Sequence, residues 1–139
     1  MRKVFLFHSH NKMYTTTIKF NIPKILEYIL NDLQELGARP ILVGVCVRDY
    51  FLNIPVKDYD VEIFGIDCFD TIENSLKKFG SVKLVGKSFG VLTLRVDNYD
   101  FDFALPRREK KVGNSHQDFE IITNANLSFK EAAIRRDFT

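Results

Sequence analysis

The sequence has no tryptophan, only two cysteines and only four prolines among its 139 residues. The two cysteines, Cys46 and Cys68, lie far apart and outside any C-x-x-C pair, which argues against both a disulfide framework and a zinc site. Cys46 stands among apolar residues and is predicted to be a small core residue. His8 and His10 lie close to the N-terminus, and we assign them no role.

Long hydrophobic runs and an excess of one charge are also missing. No segment approaches the roughly 20 apolar residues that a membrane helix needs, and the apolar run from Val4 to Phe7 is too short for a secretory signal. We therefore expect a cytoplasmic protein with no membrane partner.

Lysine and arginine total 20 against 18 acidic residues, so overall charge indicates no class of partner. Hydrophobic residues make up 45% of the chain, which suits one domain with a core.

Hydrophobic periodicity predicts an α/β domain with a mixed sheet. An amphipathic helix opens at Pro23 and ends at Gly37. The segments predicted after it are a strand over 41–43, a helix over 45–52, a strand over 58–64, a helix over 69–79 and strands over 82–85, 91–96 and 99–105, the last two joined in a tight hairpin. Residues 107–127 are predicted to form an irregular polar loop, and a capping box opens a last helix over 128–134.

A glycine turn and two carboxylates form the most informative pattern. Gly44 follows one apolar strand, and Asp58 and Asp60 lie on the next. Because strand side chains alternate, both carboxylates and Glu62 share one face, while the aromatic and aliphatic residues between them share the other. Cα atoms two positions apart on a strand are roughly 6.5 to 7 Å apart, which is close enough for the two carboxylates to share bound magnesium. The alternative is an exposed edge strand whose acids are simply solvated.

A second strand repeats this arrangement. Between residues 99 and 105, aromatic residues alternate with Asp100 and Asp102, so one face is aromatic and the other carries carboxylates. If the two strands are neighbours in a sheet, Asp102 adds a third carboxylate to the face that holds Asp58 and Asp60. The sequence alone does not decide that adjacency.

With these residues in view, the chain resembles the head domain of the class II tRNA nucleotidyltransferase and bacterial poly(A) polymerase family, within the polymerase-beta-like nucleotidyltransferase superfamily. Four segments carry the resemblance in the family's order: Leu42 to Asp49 is similar to L-V-G-G-x-V-R-D, Lys57 to Asp60 to K-D-x-D, Phe101 to Glu109 to an acidic strand followed by R-x-E, and Ile134 to Thr139 to R-R-D-F-T. The similarity covers residues 22–139, the expected head domain, and leaves residues 1–21 as an N-terminal extension.

The resemblance implies a mixed sheet with helices packed on one side. It also implies metal-dependent transfer of AMP or CMP from ATP or CTP to the 3′ end of tRNA or another RNA. In that reaction Asp58 and Asp60 hold two Mg²⁺ ions, and Asp102 completes the catalytic carboxylates. The residues that the resemblance assigns to nucleotide or phosphate binding are Gly44, Val45, Arg48, Arg107, Arg136 and Asp137.

Two departures from the family pattern matter. Val45 stands where the family has its second glycine, and a β-branched residue neither adopts a positive φ cheaply nor lets the backbone approach a phosphate as closely. We therefore predict weakened triphosphate binding. The sequence also stops at Thr139, within the last motif. The resemblance thus implies that the family's neck, body and tail, with the groups that read the base and grip tRNA, are absent from these residues.

Other interpretations stay open. Arg48 and Asp49 could pair on a helix surface, and Arg135 with Arg136 could complement a helix dipole. The basic run over 107–111 suits phosphate and equally suits a solvated loop. For the whole chain, one alternative is a degenerate or truncated module that binds nucleotide or RNA weakly without full activity. Another is a small nucleotidyltransferase that modifies a protein or a short RNA without a neck.

Overall fold

The computed structural model of the chain describes residues 2–7, 13–18, 20–85, 90–111, 119–123, 126 and 128. Its helices are α1 (Lys24–Glu35), α2 (Val45–Phe51) and α3 (Phe69–Leu76). Its strands are β1 (Arg2–Phe7), β2 (Met13–Ile18), β3 (Arg39–Val43), β4 (Asp58–Phe64), β5 (Ser81–Val85), β6 (Val91–Val96), β7 (Tyr99–Ala104), β8 (Arg107–Lys111) and β9 (Phe119–Thr123). Apart from Ser128, the predicted last helix lies outside the described residues, as do Arg136 and Asp137.

Five strands form one mixed sheet in the order β3-β4-β7-β6-β5. β4 and β7 run parallel, and the other neighbouring strands run antiparallel. Parallel neighbours need a crossover connection, and here the crossover contains α3, β5 and β6. β6 and β7 form the expected hairpin at Asp97 and Asn98. Asp97 takes a positive φ of 52° there, a conformation in which Asp is enriched relative to most residues.

Apolar residues of the three helices pack against one face of this sheet. The residues that α1 buries, at three- and four-residue spacing, are Leu26, Ile29, Leu30 and Leu33. They share a core with Cys46 and Val47 of α2, Ile72 of α3 and the aromatic residues of β7. α1 ends as expected before Gly37, which takes a φ of 91° and so provides the left-handed residue that commonly ends a helix. The mixed α/β fold with its helices on one side is confirmed.

Two segments differ from the prediction. The prediction of an irregular loop over 107–127 is wrong in part, because β8 and β9 pair antiparallel from Arg107↔Thr123 to Lys111↔Phe119. A run of Arg, Glu and Lys has little intrinsic strand preference, and pairing with the β-branched and aromatic residues of β9 overrides it. α3 ends at Leu76 rather than at residue 79. The amides of Lys78 and Phe79 donate to carbonyls three residues back, as in a tightened last turn.

The expected N-terminal extension contains a two-stranded antiparallel sheet, in which β1 pairs with β2. Its strands were not among the elements that periodicity predicts. The domain boundary at residue 22 stays a prediction. Across the residues that the structure describes, no helix has both the length and the apolar character needed to cross a membrane.

Candidate active site

The carboxylates of β4 and β7 lie side by side. The parallel register pairs Asp58 with Asp100 and Asp60 with Asp102, and hydrogen-bonded strands are about 4.8 Å apart. The adjacency that the sequence left undecided is therefore confirmed. Asp60 and Asp102 are half-buried, whereas Asp58 is exposed. Four carboxylates from two neighbouring strands, the three predicted ones and that of Asp100, thus lie on the same side of the sheet.

The other face of these two strands explains why they tolerate aspartates. Phe101, Phe103 and Val61 are almost completely buried, and burying one such side chain contributes about 1.5–3 kcal/mol. That gain offsets the poor strand preference of Asp. The aromatic and aliphatic core on one face therefore holds the carboxylates in place on the other.

Asp102 is held by a residue that the sequence analysis did not single out. Thr93 lies opposite Asp102 in the register of β6 and β7, and its Oγ1 donates a hydrogen bond to Asp102 Oδ1 at 2.5 Å. This bond fixes one carboxylate oxygen and leaves the other available. The signal was present in the sequence, because Leu92 and Leu94 alternate with Thr93 along β6 and mark the opposite face.

Glu62 does not extend the open acidic face. The alternation predicts it on the same side as Asp58 and Asp60, but its exposed fraction is only 1%. A charged group buried this deeply is normally paired or hydrogen-bonded, and Glu62 does interact with other residues. The carboxylates accessible to a ligand on β4 are therefore Asp58 and Asp60.

Gly44 lies next to these carboxylates. β3 and β4 pair antiparallel with Val43 opposite Asp60, so the turn after β3 begins beside Asp60. Gly44 has a φ of 72° and a ψ of −143°, a combination that is essentially restricted to glycine. The sequence-predicted glycine turn is thus required by the backbone path that connects β3 to α2.

The backbone at Val45, the first residue of α2, lacks the strain that the sequence predicts there. It is not among the described residues with positive φ, so the backbone strain expected of a β-branched residue in this turn is absent. Its side chain is 52% exposed. Any effect of Val45 on phosphate binding must therefore come from the bulk of the side chain above the turn.

The structure confirms the prediction that Cys46 is a core residue. Its Sγ donates a hydrogen bond to the carbonyl oxygen of Val43 at 3.1 Å, which ties the start of α2 to the end of β3. Burial raises the pKa of the Cys46 thiol to about 11, so the thiol is neutral near pH 7. Cys46 stabilises the turn that carries Gly44.

The predicted phosphate-binding arginines are distributed unevenly. Arg48 on α2 is 46% exposed and forms an ion pair with Asp49 at 2.8 Å, which matches the surface pairing considered from sequence. Arg107 begins β8. Arg136 and Asp137 lie outside the described residues. The structure therefore brings Gly44 and the three carboxylates together and leaves the contribution of these other residues as a prediction.

The donor set fits a hard cation. Asp58, Asp60 and Asp102 offer carboxylate oxygens, the ligands that Mg²⁺ prefers in proteins. Within the described ranges, no three acidic, histidine or cysteine side chains are gathered closely enough to enclose an ion. The site therefore has the chemistry of a magnesium site without a preformed cage.

Comparison with known proteins identifies relatives of this chain. Residues 41–139 match the family described as the poly A polymerase head domain. A CCA-adding enzyme of Buchnera aphidicola subsp. Acyrthosiphon pisum is 36% identical over 98 residues, 70% of this chain and 22% of the relative. A multifunctional CCA protein of Pseudoalteromonas atlantica is 34% identical over the same share of each chain. The chain thus spans about a fifth of the length of the curated relatives it matches.

Solved structures of related proteins resemble this chain as well. A tRNA nucleotidyltransferase complexed with a primer tRNA and an incoming ATP analog has a TM-score of 0.56 and 27% identity, covering 78% of this chain and 28% of its own. A CCA-adding enzyme in complex with ATP has a TM-score of 0.51 and 27% identity, covering 63% and 22%. An apo CCA-adding enzyme with 23% identity shares the fold, with a TM-score of 0.61 over 84% of this chain and 27% of its own. Because the family match spans most of the sequence, the chain belongs to the poly A polymerase head domain family.

Proposed function

We propose that this chain is the head of a metal-dependent nucleotidyltransferase that transfers AMP or CMP from ATP or CTP to the 3′ end of tRNA or another RNA. The observation that carries the proposal is the register that places Asp60 beside Asp102 on parallel strands, next to the Gly44 turn. Relatives at 32–38% identity are CCA-adding enzymes and multifunctional CCA proteins, which supports tRNA as the acceptor.

The residues would divide the work as follows. Asp58 and Asp60 would hold Mg²⁺, and Asp102, oriented by Thr93, would complete the carboxylate set. When bound, Mg²⁺ orients the triphosphate and lowers the pKa of an attacking hydroxyl. The turn at Gly44 would present backbone N–H groups to the triphosphate.

Arginines would neutralise the remaining phosphate charge. Arg48 would leave its exposed ion pair with Asp49 and bind a phosphate oxygen instead. An exposed ion pair of this kind contributes only about 0–1 kcal/mol. Arg136 and Asp137 would hold the triphosphate or ribose, and Arg107 would help fix the same region or contact RNA. These assignments rest on the family motifs.

The reaction is an in-line substitution at the α-phosphorus. The RNA 3′-oxygen forms a bond to that phosphorus, the bond to the bridging oxygen breaks, and pyrophosphate leaves. The hydroxyl proton passes to solvent or to a carboxylate. Asp58, Asp60 and Asp102 would hold the metal that offsets the charge on the equatorial oxygens, and the backbone N–H groups at Gly44 would add fixed donors.

A second candidate is a module that binds nucleotide without transferring it. The exposed Val45 side chain above the glycine turn and the existing pair between Arg48 and Asp49 favour this candidate, because both weaken the triphosphate site. It differs from the first in one measurable property, the formation of a new phosphodiester bond.

Metal-dependent ATP binding tests the proposal. Calorimetric titration of ATP into the wild-type chain with and without Mg²⁺ or Mn²⁺ should show tighter binding with metal. Asp60→Asn removes one charge from the carboxylate set at nearly constant volume and should lose most of that metal-dependent gain, on the order of tenfold or more in affinity, since a charged hydrogen-bonding group contributes about 1.5–3 kcal/mol.

The matched control is Asp67→Asn, which changes an exposed aspartate in the loop after β4 and should bind ATP as the wild type does. Equal metal dependence in the wild type and Asp60→Asn would remove the basis of the metal-site proposal.

A further inference from the structure

Two basic side chains lie on the same sheet face as the candidate carboxylates. The sheet register produces two rows that cross this face: Asp60, Asp102, Thr93 and Lys83 in one, and Asp58, Asp100, Arg95 and Ser81 in the other. Lys83 and Arg95 are both exposed. Each row therefore starts at a carboxylate of β4 and reaches a cation on β5 or β6.

A cavity joins these cations to the carboxylates. It has a volume of about 410 Å³, and its lining includes Lys83 and Arg95 together with Asp58 and Asp102. A second cavity of about 630 Å³ lies beside the β6–β7 hairpin and is lined by Lys57 and again by Arg95. Arg95 lines both cavities, and the first of them, which contains Lys83, Arg95 and Asp102, is called the groove below.

The position of this groove follows from the order of the strands. Gly44 follows β3, on one side of β4, whereas β7, β6 and β5 lie on the other side. In an in-line transfer the attacking hydroxyl and the leaving pyrophosphate are on opposite sides of the α-phosphorus. If the triphosphate lies at Gly44, the attacking RNA strand approaches from the side of β6 and β5.

We infer that Lys83 and Arg95 bind the backbone phosphates of the RNA strand whose 3′ end is extended at Asp58, Asp60 and Asp102. This inference rests on the proposed function and names the part of the site that holds the acceptor. Single-stranded nucleic acid is bound by grooves whose positive charges follow the backbone. The cations lie beside the carboxylates rather than at the Gly44 turn, so they serve the acceptor and not the triphosphate.

The present partners of these cations do not prevent this use. Arg95 Nε lies 3.3 Å from Asp100 Oδ1, with the two side chains 75% and 43% exposed, and an ion pair that exposed is weak. Lys83 forms no ion pair with any residue that the structure describes. A phosphate can therefore engage both side chains without disrupting the fold.

Binding of a short RNA tests the inference directly. The probe is a fluorescent 12-nucleotide single-stranded RNA with a free 3′-hydroxyl, titrated with the full chain at several salt concentrations without nucleotide. Lys83→Gln and Arg95→Gln should each weaken binding roughly three- to tenfold at low salt and lower the slope of log affinity against log salt by about 0.7 to 1. The double variant should lose both contributions. ATP affinity in the presence of Mg²⁺ should not change.

Lys24→Gln is the matched control, because Lys24 is an exposed lysine on α1, in the helical layer rather than on the groove. It should retain the wild-type affinity and slope for the RNA. The inference would be overturned by wild-type RNA affinity in the double variant, or by no measurable RNA binding by the wild type at low salt. A loss of ATP affinity instead of RNA affinity would also overturn it, since the cations would then serve the triphosphate.

The two proposals fail in different measurements. The transferase proposal depends on metal-dependent ATP binding and on Asp60, and neither is measured with the RNA probe. If ATP shows no metal dependence while RNA binding still falls in the double variant, the groove binds RNA and the transferase proposal alone is wrong.

Discussion

Val45 shows how a side chain can alter a site without straining its backbone. It begins α2 with an ordinary φ, and half of its surface is exposed above the turn at Gly44. In the family pattern a glycine at this position leaves the backbone N–H groups of the turn uncovered. The valine side chain adds bulk next to this turn, at the first residue of α2, and we predict that this bulk hinders a phosphate.

Replacing Val45 should therefore strengthen nucleotide binding. Val45→Gly should tighten ATP binding measurably in the presence of Mg²⁺, while lowering the free energy of unfolding by about 0.5–1 kcal/mol through the entropy of glycine in a helix. Calorimetric titration with ATP and urea unfolding measure the two effects separately. Val45→Ala is the informative control, since it removes the methyl groups but keeps good helix propensity.

The pair of variants distinguishes two causes. If Ala and Gly tighten binding equally, side-chain bulk is the obstacle. If only Gly does so, the turn needs backbone freedom that Val45 denies it. ATP affinity unchanged in both variants would contradict the prediction and show that the valine is either harmless or part of a different loop geometry.

At the scale of elements, α1 and α3 are joined by a polar contact as well as by the core. Asp32 on α1 accepts hydrogen bonds from Ser75 of α3 and from Lys78 just after it, and Lys78 Nζ lies 2.8 Å from the carboxylate. The hydrogen bond from Lys78, followed by that from Ser75, lowers the pKa of Asp32 below its usual 3.8. The charged form of Asp32 is therefore the one that stabilises the folded state.

This contact should make stability depend on pH in the acid range. Because the folded pKa of Asp32 is lowered, its contribution is present above pH 3.8 and is lost as the pH falls through the lowered value. Asp32→Asn should lower the free energy of unfolding by roughly 0.5–1 kcal/mol at pH 7, and the difference from the wild type should vanish as the pH falls through the lowered pKa of Asp32. Urea unfolding across this range measures the effect.

The control for this prediction lies within α3. Glu73 pairs with Lys77 one turn along the same helix at 2.7 Å, so Glu73→Gln removes an ion pair without affecting the contact between helices. It should cost only about 0.3–0.5 kcal/mol. A pH-independent difference between the wild type and Asp32→Asn would show that the contact acts by packing alone.

How well each element could be predicted depended on whether its signal is local. β4 matches its predicted range from Asp58 to Phe64 because alternation and the flanking glycine lie within the segment itself. β8 could not be recognised, because its strand character depends on pairing with β9. The length of α3 was overestimated, since helix ends are set by the hydrogen bonds of the final turn.

The candidate site likewise has features with a local sequence signal and features that depend on distant pairing. The shared face of Asp58 and Asp60 follows from strand geometry alone. The position of Asp102 beside Asp60 depends on the parallel pairing of β4 and β7, which are separated in sequence by a helix and two strands. No local pattern encodes that pairing, whereas the alternation of Thr93 with Leu92 and Leu94 and the predicted β6–β7 hairpin do place Thr93 on the carboxylate face.

At the scale of the whole molecule, the two faces of the sheet have different roles. One face is covered by three helices and contains the core. The other carries the carboxylates and the groove, with Gly44 at its edge. The proposed binding of metal, triphosphate and an RNA end would therefore all depend on the positions of strands that the helices stabilise from the other face. Destabilising the helical layer should reduce these activities together.

The groups present in the head determine what the 139 residues can and cannot do alone. Metal and triphosphate contacts need only the carboxylates and the Gly44 turn, whereas choosing a base needs donors and acceptors placed against its Watson–Crick edge, and the family resemblance assigns those to regions beyond the head. The chain should bind ATP and CTP with weak affinities that differ by less than about tenfold, since each missing discriminating hydrogen bond is worth about 1 kcal/mol. With a net charge of only +2, it should also hold intact tRNA poorly.

The decisive experiment incubates the chain with tRNA that lacks its 3′-terminal CCA and with ATP, CTP or both, and then sizes the product on a sequencing gel. Little or no extension is expected, and any extension should not depend strongly on which nucleotide is supplied. Asp60→Asn run in parallel identifies extension by a contaminating enzyme, because that activity would persist in the variant. Ordered addition of two C and one A by the wild type, absent in Asp60→Asn, would place the base-selecting groups within these residues and contradict the prediction.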